Sequence, residues 1–332
     1  MSNAVNLAVA GRMLSEYLEA DVPAFMSGAP GVGKSDSVAQ TAAARGVTLI
    51  DQRVTLLDPV DLRGLPHIVD GAAVWGAPGF LPNENRDGAK GILFLDELNA
   101  APPSTQAACY QLVLNRKLGD YSLPPGWRIA AAGNRQSDRA AAQRMPSALA
   151  NRFAHIDVEP DVDTWCTWAN GAGLEAVMVA FIRFRPALLH MMPQNADERA
   201  FPTPRSWASA SKLAMSPVDL RLPLIAGLVG EGPAAEFEGF IRTFLDVPSI
   251  RDILADPKGA KVPSGPAALF AVSTAIARKA AATTFSAILD YAQRLPKEFE
   301  ILTAVDATRR DKKLCETQAF VAWASRNADV VM

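Results

Sequence analysis

Hydrophobic positions in this chain fall into two regimes. Leu7, Val9, Leu14, Tyr17 and Leu18 mark one face of an amphipathic helix over residues 5–19. Beyond Pro23 come short segments that read as strands: 24–26, 47–54, 91–95, 128–132 and 154–158. The most apolar is 91–95, and 128–132 likewise reads as a buried strand. Helical patterns separate them, one running to about Arg45 and ended by Gly46, one over 103–114, with shorter turns at 58–64 and 146–151. Two stretches break the pattern. Residues 66–75 alternate apolar and polar about Asp70-Gly71, a hairpin signal. Residues 117–127, with Gly119-Asp120 and Pro124-Pro125-Gly126, read as a second hairpin or a long turn. After Pro160 the strands stop, and helices separated by prolines and glycines follow, with a further Pro/Gly cluster over 248–266.

Strands alternating with helices predict an α/β fold: a mostly parallel sheet covered on both faces, followed by an all-helical part. The expected domains are 1–160 for the sheet, with a hairpin insert at about 64–76 and another at about 117–127. A helical lid is expected over 161–248 and a C-terminal helical extension over 249–332. Composition changes this picture little. The 332 residues are 49% apolar and 20% charged, with a net charge of −2 and no basic patch or tail, which argues against a dedicated nucleic-acid binder. Cys109, Cys166 and Cys315 are far apart and match neither a disulfide framework nor a zinc site, so a reducing cytoplasm is the expected setting. The first residues do not read as a signal peptide, and no stretch is long and apolar enough to span a membrane.

The chemistry concentrates at strand ends. Gly28-Ala29-Pro30-Gly31-Val32-Gly33-Lys34-Ser35 matches GxxxxGK[ST] between a strand and a helix. Glycines let the backbone curl so that its N–H groups face phosphate oxygens, and the helix start adds the positive end of its dipole. Lys34 is expected on the β- and γ-phosphates of ATP and the Ser35 hydroxyl on Mg²⁺. The strand 92–95 ends in Asp96-Glu97, where ligands bind in parallel sheets. Asp96 is expected to hold Mg²⁺ and Glu97 to polarise the attacking water as a general base. Asn134, following 128–132, would bring an amide beside the γ-phosphate; the alternative is a plain Gly133-Asn134 turn. Arg152 precedes the last strand and Arg144 lies a helix earlier; each reads as a finger on a transferring phosphoryl or as a surface ion pair. Thr203-Pro204 is a helix start, which places Arg205 in a first turn, either reaching over the nucleotide or solvated.

Taken together these residues resemble the AAA+ ATPases. The segments 57–66 and 79–82, Asp96-Glu97-Leu98-Asn99-Ala100-Ala101-Pro102, Leu118-Gly119-Asp120-Tyr121 and Ala132-Gly133-Asn134 are similar to the MoxR family in particular. The resemblance covers about residues 20–215. It implies an αβα P-loop NTPase sandwich with a five-stranded sheet in the order 5-1-4-3-2, a helical lid, and two hairpin inserts where the sequence shows them. It further implies a hexameric ring with ATP between subunits, Asn134 as first sensor, Arg152 acting on the neighbour's nucleotide, and Arg205 as lid sensor. MoxR-type proteins act with a von Willebrand factor A domain partner as chaperone-like remodellers or activators of a client protein. One departure is Ala100, where the family often carries arginine. The rival reading is a DNA-directed AAA+ NTPase such as a restriction-type translocase, which would need basic residues on hairpins that here hold His67 and little else. Trp75 on the first hairpin either packs on its own domain or meets a client. The tail helices either pack on the lid or bind the partner.

Overall fold

The computed structural model describes residues 4–135, 138, 142–193, 198–245 and 247–328, with Arg63 and Ala73 described by backbone only. The chain forms two compact units, Met1–Asp161 and Val162–Met332.

In the first unit, α1 (Leu7–Glu19) leads into β1 (Ala24–Gly28), α2 (Lys34–Arg45) and β2 (Thr48–Arg53). After the short α3 (Pro59–Arg63) comes a hairpin of β3 (Leu65–Val69) and β4 (Ala72–Gly76), then α4 (Glu84–Asp87), which the hydrophobic pattern does not signal. The remaining elements are β5 (Gly91–Asp96), α5 (Pro103–Asn115), the two-residue strands β6 (Lys117–Leu118) and β7 (Tyr121–Ser122), β8 (Trp127–Gly133), α6 (Ser147–Ala150) and β9 (Ala154–Val158). Five strands form one parallel sheet in the order β2-β5-β8-β1-β9. Counting only those five from the amino end, this is the order 5-1-4-3-2.

Consecutive residues of the central strands face opposite cores, which explains the uninterrupted apolar runs. Ala24, Met26, Ile92, Phe94, Ala130 and Ala132 pack with Leu14 and Leu18 of α1 and Val38 of α2. Their neighbours Phe25, Leu93, Leu95, Ile129 and Ala131 pack with Cys109, Leu112 and Val113 of α5. The sheet is thus the middle layer of an αβα sandwich. The carboxyl end of the β9 edge is bridged by Val5, whose N–H donates to the Asp157 carbonyl at 2.8 Å and whose carbonyl accepts from Glu159 N–H at 3.0 Å.

The first hairpin has the predicted centre. Pro66 faces Trp75, and the turn residues Asp70 and Gly71 both have positive φ (50° and 79°), as a tight two-residue hairpin turn demands. It projects from the sandwich: Leu65 is 74% and Ile68 72% exposed, and Trp75 is also exposed. The second hairpin is real but minimal, pairing Lys117 with Ser122 and Leu118 with Tyr121.

The second unit is helical: α7 (Val162–Gly171), α8 (Ala176–Phe184), α9 (Pro204–Ser211), α10 (Val218–Val229), α11 (Glu231–Leu245), α12 (Ile250–Ala255), α13 (Pro266–Ala277), α14 (Phe285–Ala292), α15 (Lys297–Arg310) and α16 (Gln318–Arg326). One apolar cluster centres on Phe181, ringed by Trp207, Phe237 and Phe240. Another joins Ile288, Tyr291 and Trp323. Helix α13 serves both, giving Ala271 to the first and Val272 and Ile276 to the second. A buried ion pair also links the two, as Arg183 on α8 grips Asp306 on α15 with its two terminal guanidinium nitrogens, Nη2 to Oδ1 at 2.7 Å. Breaking such a pair from one side typically costs about 3–5 kcal/mol because a charge is stranded in the interior. Trp165 and Phe181 are buried in the first cluster and Phe184 packs against it, whereas Trp168 is 40% exposed.

Cys109 and Cys166 are buried, and burial pushes both thiols up to about 12, whereas Cys315 is exposed. A thiol-reactive dye is therefore expected to label one cysteine in the native protein and all three after denaturation. Native labelling of more than one would contradict the packing of α5 or α7.

Candidate nucleotide site

All five parallel strands end on one edge of the sheet, and the motif residues collect there because β1, β8 and β5 are neighbours. β1 runs directly into the glycine-rich loop. At Gly28 a Cβ would lie 2.7 Å from the Val158 carbonyl of β9, so only glycine lets the two strands end side by side. Gly31 and Gly33 have φ of 75° and 102°, the left-handed region that L side chains avoid, and they curl the loop back on itself. Ala29 and Val32 anchor the curl by burying their side chains in the core below. No side chain caps α2 at Gly33, and a helix does not satisfy its own first-turn N–H groups, so that end suits an anion.

Lys34 is 8% exposed and folds back across the loop. Its Nζ donates to the carbonyls of Gly28 at 2.7 Å and Ala29 at 3.1 Å and to Asn134 Oδ1 at 3.1 Å. The last contact follows from the sheet register. Ser27 of β1 faces Gly133 of β8, so the residues just beyond each strand emerge together. The Asn134 side-chain amide thus lies against the lysine that the motif assigns to phosphate.

Ser35 Oγ donates to Asp96 Oδ2 at 2.8 Å, and the other Asp96 oxygen accepts from the Glu97 N–H at 2.9 Å. A hydroxyl and a carboxylate oxygen placed side by side are a hard-oxygen donor pair of the kind Mg²⁺ takes when the remaining ligands are phosphate and water. The residues present thus fit that ion. Among the described residues no group of three or more His, Cys, Asp or Glu forms a further metal cluster. On the adjoining strand β2, burial and then the charge of Asp96 raise the Asp51 carboxyl above its ordinary value.

Glu97 has a positive φ (56°), uncommon for a residue with a side chain, at the point where β5 turns into the 3₁₀ turn Leu98–Ala100. Its carboxylate accepts from Thr55 Oγ1 at 2.9 Å and lies 3.9 Å from Arg53 Nε. Neither Arg53 nor Thr55 is singled out by motif reading. The signal for them is that β2 pairs with β5 and places Arg53 opposite Asp96.

The arginines lie elsewhere. Arg144 and Arg152 are exposed, and among the described residues neither guanidinium has a hydrogen-bond or ion-pair partner. Arg144 lines an open cleft of about 430 Å³ with Met145, Asn151, Phe153 and His155. Arg152 sits just before β9 begins, at the sheet edge opposite the loop, since β9 runs parallel to β1 with Ala154 facing Ala24 and Val158 facing Gly28. Arg205 belongs to the second unit, exposed in the first turn of α9, whose start is secured by the reciprocal Thr203–Ser206 capping box.

No protein-family profile and no curated protein matches the chain. Among solved structures it is similar to NtrX from Brucella abortus in complex with ADP, at 13% identity and a TM-score of 0.42, over 97% of this chain and 68% of that one. It is also similar to a point mutant of RuvB from Thermotoga maritima, at 13% identity and a TM-score of 0.35, over 81% of this chain and 69% of that one. Likeness at this level carries no argument about activity, which rests on the strand order and the site described above.

Proposed function

We propose that this chain is an ATP-hydrolysing AAA+ ATPase of the MoxR type. It works as a homo-oligomeric, hexameric ring that remodels or activates a client protein together with a von Willebrand factor A domain partner. The observation that carries the ATPase reading is the convergence of Lys34, Ser35, Asp96, Glu97 and Asn134 at one strand edge, from three separate segments.

In this reading the loop from Gly28 to Ser35 wraps the phosphates with backbone N–H groups, and Lys34 transfers its ammonium from the loop carbonyls to phosphate oxygens. Ser35 and Asp96 hold Mg²⁺, which neutralises phosphate charge when bound. Glu97 orients a water and takes its proton as the water attacks the terminal phosphorus. Asn134 fixes the same water or the γ-phosphate by hydrogen bonding. Arg152 of a neighbouring subunit stabilises the charge that spreads over the transferring group, and Arg205 senses the nucleotide from the helical unit.

The surface supports a protein client over DNA. The exposed hairpin carries Leu65, Ile68, Val69, Val74 and Trp75, an apolar set with no lysine or arginine. Exposed Val218, Leu220, Leu222 and Leu224 on α10 add apolar surface suited to subunit or partner contacts.

The direct test is binding of Mg-ATP by titration calorimetry. Wild type is expected to bind, and Lys34→Ala to bind about 10- to 100-fold more weakly, since a charge-assisted bond of about 1.5–3 kcal/mol is lost. Failure of the wild-type chain to bind, or unchanged affinity in the variant, would remove the assignment.

A further inference from the structure

We propose that Asn99 is a positioning residue for Asn134, holding the sensor amide in register with the Glu97 turn. This rests on the ATPase reading above and adds a residue to which the motifs assign no role.

Asn99 is 7% exposed and sits in the 3₁₀ turn that follows Glu97. Its side-chain amide makes two bonds to the backbone of one residue. Nδ2 donates to the Asn134 carbonyl at 2.7 Å, and Oδ1 accepts from the Asn134 N–H at 3.2 Å. Asn134 is the first residue past β8. The β8 ladder to β5 ends at Leu95–Ala131 and that to β1 at Ser27–Gly133, so the sheet no longer serves the Asn134 backbone. One amide replaces both missing ladder partners. Only one orientation does so, because the flipped amide would set N–H against N–H and oxygen against oxygen.

The seat is tight. A Cβ on Gly133 would lie 2.0 Å from Asn99 Oδ1 and 2.8 Å from the Phe25 ring, so the residue before Asn134 has to be glycine for the clasp to close. The Asn99 backbone is itself tied down, its carbonyl accepting from Gln143 N–H at 2.7 Å. With the Asn134 backbone gripped at both ends, its side chain is left to one task, reaching Lys34 Nζ at 3.1 Å. The same turn carries Glu97. A single short segment therefore sets the general base and, through Asn99, the sensor amide, so that the two keep a fixed separation across the γ-phosphate position.

Loss of the clasp should cost turnover rather than binding, because a displacement of about 1 Å at a reacting centre is worth up to about 10²-fold in rate. The experiment is a double-mutant cycle on kcat for ATP hydrolysis, with Mg-ATP affinity and thermal melting measured alongside. Asn99→Ala is expected to lower kcat about 10- to 100-fold with Kd within about threefold of wild type. Asn99→Asp keeps the volume but sets a carboxylate oxygen against the Asn134 carbonyl, so it should fall similarly and provides a second folded variant. Because Asn99 acts through Asn134, adding Asn99→Ala to Asn134→Ala should lower kcat no further. Additive losses, or wild-type kcat in either Asn99 variant, would overturn the proposal. Wild-type turnover reports on the ATPase reading separately: a wild type that binds and hydrolyses ATP while the cycle is additive sinks Asn99 alone.

Discussion

Glu97→Gln is expected to bind Mg-ATP as wild type does and to hydrolyse it about 10²- to 10⁴-fold more slowly. The substitution is nearly isosteric. A glutamine oxygen still accepts the Thr55 hydroxyl that the carboxylate accepts at 2.9 Å, so the left-handed turn at Glu97 keeps its support. Ser35, Asp96 and Lys34 are untouched, and with them the phosphate and Mg²⁺ contacts. What disappears is a group able to take a proton from water. Phosphate release gives kcat, and calorimetry gives affinity on the same preparation. Because hydrolysis is blocked with ATP in place, the variant should also accumulate as the assembled oligomer on size-exclusion chromatography in ATP. A kcat within about threefold of wild type would mean that another group is the base, since general-base catalysis contributes at least about 10²-fold.

The sheet and most of the site were legible because each rests on local chemistry. Ile92-Leu93-Phe94-Leu95 reads as a buried strand since its side chains enter two different cores in alternation. The loop reads as a phosphate site since Gly31 and Gly33 supply the positive φ that its curl requires. Asp70-Gly71 specifies its own turn in the same way. The contacts that stayed hidden join residues distant in sequence. Thr55 meets Glu97 only because β2 lies beside β5, and Asn99 meets Asn134 only because β5 lies beside β8. Neither β2 nor the turn after Glu97 carries a motif saying that its polar side chains face the site. The helical unit was less legible for a related reason. Its Pro/Gly-rich stretch 248–266 interrupts the helical pattern, yet α13 just beyond it packs into both apolar clusters, and Arg183 reaches Asp306 across 123 residues. An arginine and an aspartate so far apart in sequence give no periodic signal.

Sheet polarity turns the arginine question into a second large effect. Arg152 precedes β9 by two residues, and Val158 at the far end of β9 is the residue beside Gly28. At about 3.3 Å per residue, the four steps of β9 from Ala154 to Val158 span about 13 Å, and Arg152 lies in the turn before them. An arginine side chain does not reach back that far, so Arg152 has no route to the phosphates of its own chain. Its exposed guanidinium, without an ion-pair partner among the described residues, is instead available to a neighbour. Arg152→Ala should then bind ATP normally and lose about 10³- to 10⁵-fold in kcat, the range for arginine fingers supplied from outside. Lys34→Ala, assayed at ATP concentrations too low to fill its weakened loop, is silent for a different reason, yet its Arg152 is sound. In a head-to-tail ring mixed equally from the two variants, about one interface in four pairs a working loop with a working finger. Steady-state hydrolysis should recover to about a quarter of wild type on mixing, from two preparations that are each inactive alone. Mixing that restores nothing at any ratio, with mixed oligomers verified by tagged pull-down, would place the finger on another residue, with Arg144 beside the cleft the next to test.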